Sequence, residues 1–219
     1  VYTLENLTRI GRLAVENNLY IISDEIYEKL TYDGYRHTSI ASIDNAFKER
    51  TIIAHGVSKT YSMTGWRIGF AAGPKEIISA MANIQSQSTS NPSSISQRAA
   101  VAALVGPQDF IAAMVGEFQK RRDYLMAELR SIPGVTCYNP KGAFYVFPNF
   151  NAILGRKHKD TVIGTSTDLT GLLLEVFHTA VVPGVEFGKE GYLRLSFATS
   201  MEVIKKGVGR IKEAVAALV

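Results

Sequence analysis

Four side chains that can act in acid–base or carbonyl chemistry follow two short apolar segments of this sequence. Asp24 and Tyr27 come after the first segment, and Ser58 and Lys59 come after the second. Taken alone, Lys59 is expected on the surface and Asp24 is equally suited to capping a turn. Ligands of open α/β sheets, however, gather outside the carboxyl ends of parallel strands. An acid, a phenol, a hydroxyl and an amine at two such ends therefore indicate one shared crevice.

Pyridoxal phosphate is the cofactor whose chemical needs match this set of side chains. Its aldehyde forms a Schiff base with a lysine, here Lys59, and its ring nitrogen needs a carboxylate, here Asp24. Its phenolic oxygen accepts a hydrogen bond from a phenol such as Tyr27. Its phosphate takes hydroxyl groups and a planar guanidinium, which Ser58 and Arg67 can supply. These residues together predict a pyridoxal 5'-phosphate site without a metal ion.

The apolar periodicity around these residues predicts alternating helices and strands. A helix capped by Thr3 precedes a buried strand at Leu19–Ile22, and a crossover leads to a second strand at Thr51–Ala54. This order is typical of an α/β fold with a parallel sheet. Ile68–Ala72 follows too soon for a helical crossover, so we expect it to return antiparallel. Further helices are predicted from Pro74, over about Ile95–Leu104 and over about Asp109–Arg130.

The pattern changes to an α+β unit beyond Ile132-Pro133-Gly134. We therefore expect residues 1–106 to form part of a large domain, residues 107–131 an interdomain helix, and residues 132–219 a small domain. The strands predicted there are Val135–Tyr138, Ala143–Phe147 and Tyr192–Ala198, and the helices lie near Leu169–His178 and Val203–Leu218.

Arg194 lies in a predicted strand with regular alternation. Leu193, Leu195 and Phe197 fall on one face of that strand, and Arg194 and Ser196 fall on the other. From the residues alone, an arginine on a solvated edge strand and a clamp for a carboxylate both remain open.

Five segments in order along the chain resemble the class I and II aminotransferases of the fold-type-I pyridoxal-phosphate enzymes, most of all bacterial-type aspartate aminotransferases. The resemblance implies a large domain with a mostly parallel sheet and an α+β small domain. It implies transfer of an amino group between an amino acid and a 2-oxo acid, with aspartate and 2-oxoglutarate as the expected pair, in a homodimer. The segments are Ser23–Tyr27, Ser58–Gly69, Lys141–Tyr145, Val182–Gly188 and Leu193–Ala198.

The resemblance also implies a role for each matching residue. Lys59 would be the Schiff-base lysine and, once released, the carrier of a proton to and from the α-carbon of the substrate. Asp24 would hold the pyridine nitrogen and Tyr27 the phenolic oxygen, so these three residues are the expected catalytic set. Arg67 would clamp the phosphate, and Arg194 would bind the α-carboxylate of the substrate. Weaker candidates for lining the substrate cavity are Gly142–Tyr145 and Phe187.

Two features depart from the family pattern. Many relatives place a phosphate-binding serine three residues before the lysine, where this chain has Gly56, so the phosphate contact passes to Ser58 or to the Gly56 amide. The family's amino-terminal half, with its phosphate loop and ring-stacking aromatic, is not recognisable, and the chain begins at Val1. We therefore expect the carboxyl-terminal portion of a longer enzyme, inactive without its amino-terminal half.

Composition and charge narrow the remaining classes of function. The net charge is only +4, and the short basic clusters Lys120–Arg122 and Arg156–Lys159 are predicted to be solvated, which argues against a nucleic-acid partner. The single cysteine, Cys137, allows no internal disulfide and favours a reducing compartment. No apolar run is long enough to cross a membrane, so a cytoplasmic location is expected. Trp66 is predicted to lie in the core.

Two other functions remain open from the sequence. A pyridoxal-phosphate lyase or synthase on the same scaffold would keep the cofactor site and differ in its products. A non-catalytic aminotransferase-like module of a transcriptional regulator would keep the fold and carry a helix-turn-helix region upstream. The continuous aminotransferase pattern and the modest charge favour the aminotransferase.

Overall fold

A computed structural model describes the whole chain, residues 1–219, which divides into two compact units. The first unit is Val1–Val115 and the second is Gly116–Val219. The boundary falls within the 22-residue helix Asp109–Arg130. The domain limits expected from the sequence, with residues 107–131 as an interdomain helix, stay predictions.

Helices and short strands alternate in the first unit, as predicted. Thr3 caps the first helix, because its hydroxyl accepts a hydrogen bond from the amide of Asn6 at 3.2 Å. The expected helices after Pro74, near Ile95 and from Asp109 are all present. The elements are α1 (Leu4–Glu16), β1 (Ile21–Asp24), α2 (Asn45–Lys48), β2 (Thr51–Gly56), β3 (Gly69–Ala72), α3 (Lys75–Ser88), α4 (Ser94–Val105) and the start of α5 (Asp109–Arg130).

The sheet of the first unit has three strands in the order β1-β2-β3. β1 and β2 are parallel, and their register places Asp24 beside Ala54. β3 returns antiparallel to β2, with Gly56 opposite Gly69, which confirms the direction predicted for that strand. Because β1 and β2 run the same way, the residues that follow Asp24 and Gly56 leave the sheet at the same end.

The buried core of the first unit is small. Leu30, Tyr32 and Ile40 are at most 2% exposed, and they lie in and after the turn that follows β1. Many large apolar side chains of this unit stay exposed instead, among them Ile22 at 79%, and helix α3 buries none of its residues. The core position predicted for Trp66 is wrong: its side chain is 43% exposed, because it ends a short 3-10 turn that buries no residue.

The second unit has the α+β character predicted for it. Its main sheet is antiparallel throughout, in the order β4-β8-β7. The strand predicted at Val135–Tyr138 is wrong. Thr136 makes one isolated bridge to Asn149, and the carbonyl of Cys137 accepts a hydrogen bond from Arg130 at 3.0 Å instead of pairing with a strand. The elements are the rest of α5, β4 (Tyr145–Val146), β5 (Lys157–His158), β6 (Thr161–Val162), α6 (Ser166–Glu175), β7 (Val182–Pro183), β8 (Leu193–Ser196) and α7 (Met201–Ala216).

The second unit has a larger core, formed by α5, α6, α7 and the inner face of β8. Leu193, Leu195 and Phe197 are buried on that face, as the alternation predicted. Arg122 is also buried, at 1% exposure, and its guanidinium donates to the carbonyl of Pro140 at 3.0 Å and to the carboxylate that follows it in sequence. The solvated face predicted for the Lys120–Arg122 cluster is therefore wrong at Arg122, whose charge is held by hydrogen bonds inside the unit.

No single helix of the chain is both long and apolar enough to cross a membrane. Only α4 and α5 together are long and apolar enough, and a sharp bend separates these two helices.

Candidate active site

Asp24 is the last residue of β1, at the end of the sheet where the parallel strands stop. Its side chain is exposed, and Oδ1 accepts a hydrogen bond from the amide of Ile26 at 3.1 Å. This bond is the turn cap that the sequence allowed as an alternative role for Asp24. It engages only Oδ1, so Oδ2 can accept a hydrogen bond from a ligand at the same time.

Lys59 follows β2 in a helical turn and lies close to Tyr27. Its Nζ is over the Tyr27 ring, 5.8 Å from the centroid, within the range of a cation–π contact. Val57 and Thr60, on either side, are each 1% exposed, whereas Ser58 and Lys59 between them are half-buried. Because the flanking side chains anchor the turn in the core, Ser58 and Lys59 are held at the surface beside the end of β1.

Arg67 lies further along the same connection between β2 and β3. Its backbone is left-handed, with φ of 51°, a conformation that costs an ordinary residue about 1–2 kcal/mol. The guanidinium is exposed and donates to the carbonyl of Thr64 at 3.0 Å. Backbone strain of this kind is common where a side chain must be directed toward a ligand.

Two glycines close the base of the connection that contains Lys59 and Arg67. Gly56 pairs with Gly69, and a Cβ on Gly56 would lie 3.0 Å from the Cα of Gly69 and 3.0 Å from the carbonyl oxygen of Ile68. The position where many relatives have serine is thus occupied here by a residue that lets the two strands approach closely. Ser58 carries a half-buried hydroxyl in this turn, whereas the hydroxyl of Thr60 is buried.

Arg194 lies in the second unit, on β8, and two aromatic rings contact its guanidinium. Its Cζ is over the ring of Tyr145 at 4.7 Å from the centroid and over the ring of Phe187 at 4.5 Å. Such contacts orient a guanidinium and leave its N–H donors, which lie in its plane, for a carboxylate. Tyr145 and Phe187 were weak candidates from the sequence. The contact of Tyr145 depends on the pairing of β4 with β8, and that of Phe187 on the turn that follows β7, which also pairs with β8. Spacing along the chain shows neither pairing.

The segment that carries Phe187 is attached to the start of helix α6. It forms a 3-10 turn at Gly184–Phe187, and the carboxylate of Glu190 accepts hydrogen bonds from the amides of Ser166 at 2.5 Å and Gly191 at 2.8 Å. These backbone donors, first of all the amide of Ser166, hold the pKa of Glu190 below its ordinary value. The carboxylate also lies at a helix N-terminus, where negative charge is favoured.

Five of the six residues predicted for the site lie in the first unit, and Arg194 lies in the second. Asp24 ends β1 and Tyr27 comes shortly after it, and Ser58 and Lys59 follow β2, all at the same end of the sheet. Arg67 lies in the connection that also contains Ser58 and Lys59. The first unit therefore places an amine, a carboxylate, a phenol, a hydroxyl and a guanidinium in the segments around that end, and the second unit offers an arginine suited to a carboxylate.

Comparison with known families and curated proteins points to one kind of enzyme. A family model described as aminotransferase class I and II matches residues 1–211. A probable aspartate/prephenate aminotransferase of Rickettsia conorii is 47% identical over 216 residues, which are 98% of this chain and 54% of that protein. The aspartate aminotransferase of Bacillus subtilis is 46% identical over 213 residues, which are 97% of this chain and 53% of that protein.

Solved structures agree with the sequence comparisons. The crystal structure of the aspartate aminotransferase from Rhizobium meliloti matches with a TM-score of 0.96 and 42% identity, covering 100% of this chain and 55% of that one. An aromatic aminotransferase from Pyrococcus horikoshii matches with a TM-score of 0.90 and 38% identity, covering 99% and 56%. The α/β fold class expected from the sequence is thereby confirmed. The chain spans about half the length of the relatives it matches.

Proposed function

Since this chain belongs to the class I and II aminotransferases, we propose that the protein transfers an amino group between an amino acid and a 2-oxo acid, with aspartate and 2-oxoglutarate as the preferred pair. The family and the fold-type-I class recognised from the sequence are confirmed. The observation that carries the proposal is the position of Lys59 over Tyr27, beside the strand end that bears Asp24. An amine, a phenol and a carboxylate at one strand end match the needs of pyridoxal phosphate.

The donor set of the first unit fits pyridoxal phosphate. Asp24 keeps one carboxylate oxygen available for the pyridine nitrogen, and Tyr27 has a phenol for the phenolic oxygen. Ser58 and Arg67 would bind the phosphate with a hydroxyl and a guanidinium. When bound, the cofactor supplies an electron-poor ring that takes up the electron pair released at the α-carbon of the substrate.

In the mechanism that we propose, Lys59 moves the proton. Its amine is half-buried in a turn anchored on both sides, so it can stay within reach of one bound substrate. A lysine held in this way can take a proton from the α-carbon of the substrate and return it to the carbon two bonds away, on the other side of the amino nitrogen. With the cofactor bound, the negative charge of Asp24 would keep a proton on the ring nitrogen, and Tyr27 would donate a hydrogen bond to the phenolic oxygen.

Arg194 would hold the α-carboxylate of the amino acid or the 2-oxo acid. The rings of Tyr145 and Phe187 orient the guanidinium, so a carboxylate that approaches in its plane can accept two parallel hydrogen bonds. We further propose that the protein acts as a homodimer in the cytoplasm, as the family resemblance and the cysteine content suggested.

The lysine assignment can be tested by chemical trapping in the protein at its full natural length. After incubation with pyridoxal phosphate and reduction with borohydride, digestion and mass spectrometry should find the cofactor mass on the peptide that contains Lys59. A Lys59→Ala variant should lose the adduct. A Lys29→Ala variant, which removes an exposed lysine close in sequence to the strand end, should retain it. An adduct on another lysine of the wild-type protein would contradict the assignment.

The reaction type needs a separate measurement. With 15N-labelled aspartate and unlabelled 2-oxoglutarate, an aminotransferase produces 15N-labelled glutamate and oxaloacetate in equal amounts. A lyase or synthase on the same scaffold would consume an amino acid without moving its nitrogen to the oxo acid. Absence of labelled glutamate, with the Lys59 adduct present, would leave the cofactor site standing and overturn the aminotransferase.

A further inference from the structure

Glu25 is a buried carboxylate for which the proposed mechanism has no role. It is 6% exposed and directly follows Asp24. Its Oε1 accepts hydrogen bonds from the hydroxyls of Ser39 at 2.7 Å and Ser23 at 3.1 Å, and its Oε2 lies 3.0 Å from Nε2 of His37. Both oxygens are therefore held by side chains of the same unit. A buried carboxylate is destabilising without such partners. Three side chains are therefore used to keep a carboxylate at this position beside Asp24.

The backbone of Glu25 is held as firmly as its side chain. Its amide donates to the carbonyl of Ala54 on β2 at 2.9 Å, and its carbonyl accepts from the amide of Glu28 at 2.9 Å. The hydrogen bond from the amide of Ile26 to Oδ1 of Asp24 spans it. Glu25 is thus the central residue of the turn that directs the Asp24 carboxylate, and its own position is set from β2, from the turn and from three side chains.

The side chain of Glu25 contacts Ser23, His37 and Ser39. The hydroxyl of Ser23 reaches the Glu25 carboxylate at 3.1 Å, whereas the carboxylate of Asp24, between them in sequence, accepts from the amide of Ile26 instead. The partners His37 and Ser39 belong to the connection after β1, just before a 3-10 turn that buries Ile40 at 2% exposure. The Glu25 network therefore ties the end of β1 to an anchored segment of the connection that follows it.

We propose that Glu25 is a positioning residue, which fixes the turn between Asp24 and Tyr27 so that the carboxylate and the phenol keep their directions relative to Lys59. This inference rests on the proposed function. The alternative is a purely structural role for Glu25. In that case loss of the carboxylate would lower the stability of the fold and leave the surroundings of the cofactor unchanged.

The test replaces Glu25 with glutamine in the protein at its full natural length and follows the absorbance of bound pyridoxal phosphate against pH. If Asp24 is held less firmly, it stabilises the proton on the ring nitrogen less, so the cofactor ring carries less positive charge. A less positive ring raises the midpoint, which is the pH at which half of the absorbance change has occurred. We expect Glu25→Gln to raise the midpoint by about one pH unit. Glu28→Gln removes a carboxylate of the same turn that contacts Lys29 and His55, and it should keep the wild-type midpoint.

A second variant covers the case in which Glu25→Gln does not fold. Ser39→Ala removes one hydrogen bond and leaves the carboxylate in place, so it should move the midpoint in the same direction by a smaller amount. A folded Glu25→Gln protein with the wild-type midpoint would overturn the proposal, even if its thermal stability fell. If Glu25→Gln does not fold, a wild-type midpoint for Ser39→Ala would overturn it. The borohydride adduct separates the two hypotheses: without a Lys59 adduct in the wild type the proposed function fails, whereas unchanged midpoints with the adduct present remove only the role of Glu25.

Discussion

At the scale of single residues, neighbouring groups restrict the conformations of the side chains in the candidate site. Arg194 illustrates this best, because two rings contact its guanidinium at 4.5 and 4.7 Å. A long, flexible side chain loses rotamer freedom when it binds a ligand, and contacts that already restrict it reduce that loss. In the role proposed for Arg194, the aromatic contacts would lower the entropy lost when the guanidinium binds a carboxylate.

Replacing Arg194 with lysine should weaken binding of the α-carboxylate strongly. A lysine keeps the charge and loses the planar pair of donors that a carboxylate matches, a difference of about 1.5–3 kcal/mol, or roughly tenfold to hundredfold in KM for aspartate. Steady-state kinetics of the full-length protein checks this. Arg210→Lys, which changes an arginine that donates to the carbonyl of His178, serves as the control and should leave KM near its wild-type value. An unchanged KM for Arg194→Lys would remove Arg194 from the substrate site.

The positions of the candidate site residues relative to the strands were predictable, and the contacts that these residues make were not. Asp24 and Lys59 come two and five residues after the predicted apolar segments, so strand patterning alone predicts their common end of the sheet. The contacts of Glu25 with His37 and Ser39 depend on how the connection after β1 folds back, which no periodicity encodes. The left-handed backbone of Arg67 is likewise a product of its local 3-10 turn.

At the scale of elements, the segment from Gly184 to Gly191 controls the position of Phe187. Its 3-10 turn packs Phe187 edge-on against Phe147, with ring centroids 6.0 Å apart, and Glu190 attaches its far end to α6. The segment thus connects the helix N-terminus to the arginine on β8. A change at either end should be felt by Arg194.

Replacing Phe187 with leucine should loosen Arg194 without unfolding the second unit. The lost cation–π contact is worth about 0.5–1 kcal/mol at a partly exposed site, which is roughly a two- to fivefold rise in KM for a carboxylate substrate. Nitrogen-15 relaxation of the Arg194 Nε–H group should show faster motion. Tyr138→Leu removes an aromatic ring that is 78% exposed and should leave both measurements unchanged. Equal Arg194 motion in wild type and Phe187→Leu would refute the contact.

The attachment through Glu190 should make stability depend on pH in the acid range. Its pKa is lower in the folded chain than in the unfolded chain, so between the two values the unfolded chain binds more protons and stability rises with pH. The contribution is fully present above the pKa of the unfolded chain and is lost as pH falls through the lower folded pKa. As the pH is lowered from 6 to 3, the melting temperature of the wild type should therefore fall more steeply than that of Glu190→Gln.

The control for this measurement is Glu175→Gln, which changes an exposed carboxylate at the other end of α6. It should follow the wild-type curve over the whole range. Parallel curves for wild type and Glu190→Gln would show that the two amide hydrogen bonds do not discriminate between the protonation states of Glu190.

Long elements were predicted within a few residues, and short ones were not. α5 covers the predicted Asp109–Arg130, because 22 residues give its periodicity many repeats. The two-residue strands β5 and β6 were not predicted, since two residues carry no period. The strand expected at Val135–Tyr138 has suitable residues, but its carbonyl at Cys137 is taken by Arg130. Pairing partners, rather than propensity, decide such cases.

At the scale of the whole molecule, the two units differ in how completely they bury their apolar side chains. The second unit encloses most of the buried residues of the chain, whereas the first leaves large apolar side chains on β1, α3 and α4 in contact with solvent. Exposed apolar area of this extent favours association. Another polypeptide that packs against the first unit could bury these exposed apolar side chains.

We expect the 219-residue chain, expressed alone, to self-associate through the first unit and to bind pyridoxal phosphate poorly. Sedimentation velocity at increasing protein concentration should show species larger than the monomer. Ile22→Lys combined with Ile84→Lys, which changes side chains that are 79% and 71% exposed, should reduce that association. Val219→Lys, an 88% exposed change at the end of the second unit, should not. A monodisperse monomer that binds the cofactor tightly would contradict both expectations.

The close pairing of Gly56 with Gly69 has a consequence for how this sequence can evolve. A Cβ on Gly56 would lie 3.0 Å from the facing backbone, and one on Gly69 would lie 2.9 Å from the carbonyl oxygen of His55, so neither glycine can acquire a side chain unless the opposite strand moves. A serine at position 56 should therefore become acceptable only after a compensating change around Ile68 and Gly69. The two positions are expected to change together among natural variants, and a library randomised at both should recover functional serine variants that single substitutions miss.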